Sequence, residues 1–188
     1  MVKNIEQLIT GLDNGLVLVE EIGEGTFSKV FKVSKQSKPY ALKVERRFLG
    51  IDELPHLLKR EKFGITGCGY EFGVQKTLSG IEGVPEAVFL YNKDAFLMQY
   101  INGKTIKQAG KQPIGFFDKL RKIASGINDR GYCLPMDLVF GNNLLADDEH
   151  NPYVVDFMLS ERLNDDNMSR LHALDRFAID HLQHAYSM

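Results

Sequence analysis

The sequence predicts an α+β fold in which five strands, interrupted by helical segments, precede a mainly helical half. Three observations carry this expectation. Apolar runs of strand length recur through the first half, separated by turn-forming residues. The stretch "KPYALKVE" alternates, with Tyr40, Leu42 and Val44 on one side and Ala41 and Lys43 on the other. In contrast, "GFFDKLRKIASGINDRG" repeats at helical spacing, so that Phe117, Leu120, Ile123 or Ala124, and Ile127 form one stripe.

Taken in order, Asn4 with Gln7 three residues on marks a helix start, and Ile5, Leu8, Ile9 and Leu12 share a face. "GLVLVEEI" and "SKVFKV" are strands around a glycine-containing turn, and "KPYALKVE" is the third strand. From Ile51 the pattern turns helical. "IDELPHLLKREKF" carries Leu54, Leu57 and Leu58, and "YEFGVQKTL" sets Glu71, Val74 or Gln75, and Leu78 on one face. "EAVFLY" and "AFLMQYI" are two more strands, joined by Asn92-Lys93-Asp94. Gly103 breaks the second of these, which places a boundary between a strand-rich part, 1–101, and a helical part, 102–188. Gly131 suits a C-terminal cap on the stripe-bearing helix. "NNLLA" and "YVVDF" form a short hairpin, and "MSRLHALDRFAIDHLQHAY" is a final helix.

Composition narrows the class. The chain has 188 residues, 44% hydrophobic and 26% charged, with a formal net charge of -2. These are values of a soluble globular protein with room for a sizeable core. No basic stripe stands out, so nucleic acid is not an expected partner. The cysteines Cys68 and Cys133 lie far apart without C-x-x-C spacing, which speaks against zinc or a disulfide framework. No secretory signal and no membrane-length apolar run is evident, and a cytoplasmic protein is expected. The acidic run Asp147-Asp148-Glu149 reads as a solvated turn.

Several residues suit phosphate chemistry. In "EEIGEGTFSKVFKV", Gly23 and Gly25 fit a loop whose backbone N–H groups approach phosphate oxygens, although hairpin turns use the same residues. A strand lysine, Lys43, is costly unless its amine meets an anion or faces water. Ala41 beside it would let an adenine ring lie over Ala41 and Val30. A helix carboxylate can orient such a lysine, and Glu71 and Glu61 are the candidates. In "MDLVFGNNLLADDEHNPYVVDFMLS", Asp137 is followed by Asn142 and then Asp156. Phosphoryl transfer needs one carboxylate to orient the acceptor hydroxyl, and a second carboxylate with an amide to hold Mg²⁺. Singly, each of the three is an ordinary cap or turn residue.

In this order, these residues make the chain resemble the eukaryotic-type protein kinase superfamily from about Val17 to about Ser160. "IGEGTFSKV" resembles the nucleotide loop, with Ile22, Gly23, Gly25 and Val30 in place and Ser28 at the third glycine position. "YALKV" is similar to the strand-lysine motif, "FLMQYINGKTI" to the fifth strand and hinge, "MDLVFGNN" to the catalytic loop and "VVDFM" to D-F-G. "YEFGVQKTLSGIEGVP" resembles the C-helix region of casein kinase 1, which selects Glu71 over Glu61. The resemblance implies a two-lobe fold with a five-stranded antiparallel sheet and C-helix in the first lobe. It also implies ATP with Mg²⁺ or Mn²⁺, and a protein substrate phosphorylated on Ser or Thr. Met98 would be the gatekeeper, and the Gln99 carbonyl and Ile101 amide the backbone partners of adenine. Asp137, Lys43 and Asn142 would be catalytic, and Asn142 and Asp156 would hold the metal.

Departures accompany it. Leu134-Pro135-Met136 stands where His-Arg is usual before the catalytic aspartate, Met158 replaces the glycine of D-F-G, and no A-P-E follows. A reduced second lobe is therefore expected, similar to RIO-type, lipopolysaccharide-type and bacterial effector kinases. In those families Asp175 would resemble the helix residue that braces the catalytic loop; the plainer alternative is an exposed helix charge. Small-molecule or glycan kinases, and a pseudokinase without turnover, are the competing classes.

Overall fold

A computed structural model describes residues 5–46, 48–49 and 67–188, with the backbone alone at Met136 and Asp137. The helical reading of "IDELPHLLKREKF", the start at Asn4 and the alternative carboxylate Glu61 lie outside these residues. The architecture is α+β. The chain divides into two units, one of residues 1–73 and 86–100, the other of residues 74–85 and 101–188.

The first unit is built on a five-stranded antiparallel sheet. Its strands are β1 (Leu16–Glu24), β2 (Ser28–Lys35), β3 (Lys38–Glu45), β4 (Ala87–Asn92) and β5 (Ala95–Gln99), in spatial order β1-β2-β3-β5-β4. Period-two alternation in β3 has the consequence expected of it. Leu42 and Val44 enter one core cluster with Phe31, Val33 and Leu97, while Ala41 enters another with Cys68, Phe96 and Met98. The first cluster is covered by helix α1 (Ile5–Leu12) through Leu8 and Ile9. Asp13, just past that helix, is held at 2.6 Å by the Lys35 ammonium and accepts the Tyr91 hydroxyl at 3.2 Å. β3 is thus buried on both faces, unlike a half-solvated strand.

Helix α2 (Gly67–Thr77) carries "GCGYEFGVQKT". Glu71, Val74, Gln75 and Leu78 are all buried, the face the sequence pattern selects. Interior Gly69 and Gly73 cost such a helix about 2 kcal/mol relative to alanine. Its placement therefore depends on contacts from outside itself. The Cys68 N–H donates to Glu45 Oε1 at 2.9 Å and the Gly69 N–H to the Lys93 carbonyl at 3.1 Å, satisfying two donors of the first turn.

In the second unit, α4 (Ile114–Asp129) buries Phe116, Phe117, Leu120, Ile123, Ala124 and Ile127, and α5 (Met168–Tyr186) buries Leu171, Ala178, Ile179 and Leu182. A short α3 (Ile106–Ala109) begins with a capping box in which Thr105 and Gln108 serve each other's backbone N–H. The hairpin of β7 (Leu144–Ala146) and β8 (Pro152–Val154) is as read from the sequence, but a third strand, β6 (Lys104–Thr105), pairs with β7. No periodicity is legible in two residues, so β6 left no sequence signal. The Asp147 carboxylate accepts the Glu149 and Asn151 N–H groups and so organises the acidic turn. Among the described residues, no helix is long and apolar enough to cross a membrane.

Gly83 lies against α4 and β8. Its carbonyl accepts the Val154 N–H at 2.9 Å, its φ is +87°, and an added Cβ would fall on the Ile123 side chain and 2.7 Å from the Pro152 carbonyl oxygen. Gly83→Ala should therefore lower unfolding free energy by about 2–4 kcal/mol, combining left-handed strain with overpacking. Urea denaturation measures this, and a loss below about 1 kcal/mol would contradict the packing described.

Candidate functional site

The first unit places a lysine where water does not reach. Lys43 is 1% exposed and Glu71 fully buried, and Lys43 Nζ lies 2.7 Å from Glu71 Oε2. Neither the surface-lysine nor the solvated-glutamate alternative holds. β3 aims Lys43 and α2 aims Glu71 at one another, so each charge compensates the other's desolvation. Around them the same face collects Ala41 and Met98, with Val30, Phe72 and Tyr100 half-buried against them. Val30, Ala41 and Met98, all named from the sequence, are therefore brought together in one apolar cluster. Gln99 is exposed at the end of β5, where its N–H donates to the Glu86 carbonyl at 2.8 Å. Ile101 lies just beyond, half-buried and in the second unit.

The glycine stretch is a hairpin between β1 and β2. Gly23 pairs with Val30, and the Gly25 N–H donates to the Ser28 carbonyl at 2.8 Å. Ile22 is exposed and Ser28 buried. Neither glycine has a positive φ. A Cβ at Gly23 would meet Val30 Cβ at 3.6 Å, and one at Gly25 the Ser28 carbonyl oxygen at 3.6 Å, both ordinary contacts. The hairpin itself therefore has no need of glycine at either position. Close approach of a ligand to the backbone is a reason that remains.

In the second unit, β7 and β8 bring two candidate metal ligands to one end of a hairpin. Leu144 pairs with Val154, and the Val155 N–H donates to the Asn143 carbonyl at 2.9 Å. Asn142 and Asp156 each adjoin this last contact in sequence, just beyond the paired residues. Asn142 is exposed and Asp156 half-buried. Asp156 adopts φ 63°, ψ 79°, a left-handed conformation costly for a non-glycine residue, and accepts the Met158 N–H at 3.4 Å. A carboxylate and an amide carbonyl are hard oxygen donors of the kind Mg²⁺ takes when phosphates and water complete its shell. Both side chains carry donors of that type. Among the described residues, no group of three His, Cys, Asp or Glu side chains could hold a metal by itself.

Asp137 lies in a 3-10 helix over Met136–Phe140 that ends at Gly141 with φ 69°. The segment leading into it is braced from α5. Asp175, 6% exposed, accepts the Leu134 N–H at 3.1 Å through Oδ1 and the Asn128 amide at 2.9 Å through Oδ2. It is not an exposed helix charge. Asn128, at the end of α4, also donates to the Tyr132 carbonyl at 3.0 Å. In the sequence Asn128 carries one signal only, that of a polar residue beside an apolar helix stripe. Glu45 carries another, since a glutamate two places beyond Lys43 in an alternating strand shares its buried face. Cys133 is buried, and desolvation pushes its thiol up to about 11, so it is no nucleophile at neutral pH.

No family model matches this chain, and no curated protein matches it.

Burial raises the pKa of Asp175 above 3.8, against the lowering effect of its bonds from Asn128 and Leu134. A raised folded-state pKa gives stability at low pH that is lost as pH rises through that value. Asp175→Asn keeps an acceptor for Leu134 but cannot ionise. Wild type should therefore lose stability relative to Asp175→Asn between pH 3.8 and neutrality, as read by chemical denaturation across that range. A wild-type advantage that grows with pH would overturn this.

Proposed function

We propose that the chain is a small ATP-dependent phosphotransferase of protein-kinase type, moving the γ-phosphate of Mg-ATP to a serine or threonine hydroxyl of a protein. The observation that carries this is the buried Lys43–Glu71 pair at 2.7 Å, on the sheet face shared with Ala41. Hydrophobic residues in its place would be neutral or stabilising, so stability alone gives little reason for the pair. Holding one ammonium in a fixed direction for phosphate oxygens does give a reason.

In this proposal, adenine lies over Val30 and Ala41 near Met98, with the Gln99 carbonyl and Ile101 N–H at its edge. The hairpin of Ile22, Gly23, Gly25 and Ser28 covers the phosphates, and Lys43, oriented by Glu71, meets their oxygens. Asn142 and Asp156 would hold Mg²⁺ or Mn²⁺, which supplies neutralisation of phosphate charge. Asp137 orients the acceptor hydroxyl. Its oxygen bonds to the γ-phosphorus, the bond to the leaving ADP oxygen breaks, and the hydroxyl proton passes to the Asp137 carboxylate. The Asp175 brace on Leu134 keeps the segment before Asp137 in place. A small-molecule or glycan hydroxyl would serve the same constellation.

A second proposal, a nucleotide-binding module without turnover, is favoured by Leu134-Pro135-Met136 and by Met158, whose buried side chain stands at the D-F-G glycine position.

Two experiments test these proposals. Lys43→Met alone strands the Glu71 carboxylate in the interior and should cost about 3–5 kcal/mol. The double variant Lys43→Met/Glu71→Gln removes both charges. It should fold, yet lose the rise in melting temperature that Mg-ATP gives wild type by mass action. An unchanged ATP-dependent rise in the double variant would sink the nucleotide assignment. Asp137→Asn should fold and bind ATP while phosphoryl transfer falls about a hundredfold or more, the contribution of a positioned carboxylate. Transfer at the wild-type rate would remove Asp137 from the mechanism. Wild type that binds ATP but transfers to no acceptor would establish the second proposal.

A further inference from the structure

We infer that Glu45 is a positioning residue, and that its contact with α2 sets Glu71 against Lys43. The role rests on the phosphotransferase proposal, because the pair it positions is the one that would orient the phosphates. Glu45 is a fully buried carboxylate at the end of β3, two residues beyond Lys43 and on the same face. Its Oε1 accepts the Cys68 N–H at 2.9 Å in the first turn of α2, and Glu71 follows one turn later.

Contacts at two levels therefore join strand and helix: position 43 to position 71 by an ion pair, and position 45 to position 68 by a hydrogen bond. Together with the Lys93 carbonyl at Gly69, the two contacts set the direction of α2. A carboxylate at a helix N-terminus is also favoured by the helix dipole. The end of β3 is itself held, because the Glu45 N–H donates to the Asp94 carbonyl at 2.8 Å. The neighbouring Lys93 carbonyl takes the Gly69 N–H, so the β4–β5 turn serves both sides of the contact. With two interior glycines, α2 holds its place poorly alone, and a lost anchor at Cys68 is carried to Glu71.

Two conservative variants separate reach from charge. Glu45→Gln keeps an oxygen at the same reach and loses the charge, whereas Glu45→Asp keeps the charge and draws it back by one methylene. If Glu45 acts by holding the Cys68 N–H, Gln substitutes for it better than Asp. Hydrogen exchange on the nucleotide-free protein should show Cys68, Gly69 and Tyr70 exchanging about tenfold faster in Glu45→Asp, with most of the protection restored in Glu45→Gln. Phosphoryl transfer should follow the same order. kcat should fall about tenfold or more in Glu45→Asp with little change in KM for ATP, since misplacement by about 1 Å weighs on the reacting geometry. The opposite order, with Asp the better substitute, would show that the charge and not the reach matters and would overturn the inference. Wild-type exchange in both variants would overturn it as well. The exchange measurement needs no turnover, so absence of transfer in wild type would count against the phosphotransferase proposal and leave the contact itself decided.

Discussion

A lysine and a glutamate that meet away from water impose conditions on everything near them. Lys43 and Glu71 pair at 2.7 Å with almost no exposure on either side. Such a pair survives only where both partners are delivered together, because either charge left alone in the interior is strongly destabilising. β3 must therefore be covered by α2 on the Lys43 face, and a helix with two interior glycines must be held there from outside. The other face of β3 is closed independently, by α1 and the cluster around Leu42 and Val44. Burial on both sides gives the strand its rigidity, and rigidity directs the ammonium.

The second unit solves a related problem with a hydrogen-bonded carboxylate. Among the described residues Asp175 has no cation at bonding distance; it accepts the Leu134 N–H and the Asn128 amide. Desolvation raises its pKa while those two donors work against the rise. The brace is thus a compromise between burying a carboxylate and ordering the backbone that leads to Asp137. Asp156, held at a positive φ in its own short turn, is a place where local strain coincides with a candidate ligand.

Much of this was legible in the residues, and the reason differs by element. Strands β1 to β5 announce themselves as apolar runs of strand length, with a clear period in β3, and α4 by its apolar helical stripe. Glu71 was legible for the same reason, lying on the buried face of α2 with Val74 and Leu78. β6 was not, since two residues have no period. The depth of Lys43 and Asp175 was also hidden. Periodicity assigns a residue to a face, but whether that face is wet depends on elements distant in sequence, here α2 over β3 and α4 beside α5. Glu45 escaped notice because a terminal strand glutamate looks like a solvated charge until the helix donor it meets is known.

The glycines fall into two kinds that answer to different pressures. Gly83 and Gly103 are demanded by the fold itself, for an added Cβ would sit 2.7 Å from the Pro152 carbonyl oxygen in one case and 2.9 Å from that of Ala146 in the other. Gly23 and Gly25 have room to spare. A library of variants sorted only for the ability to fold would keep the first two and let the hairpin positions drift toward residues with better strand propensity. In the proposed phosphotransferase, the hairpin is thus the stretch of chain where the requirement to fold and the requirement to act can be pulled apart.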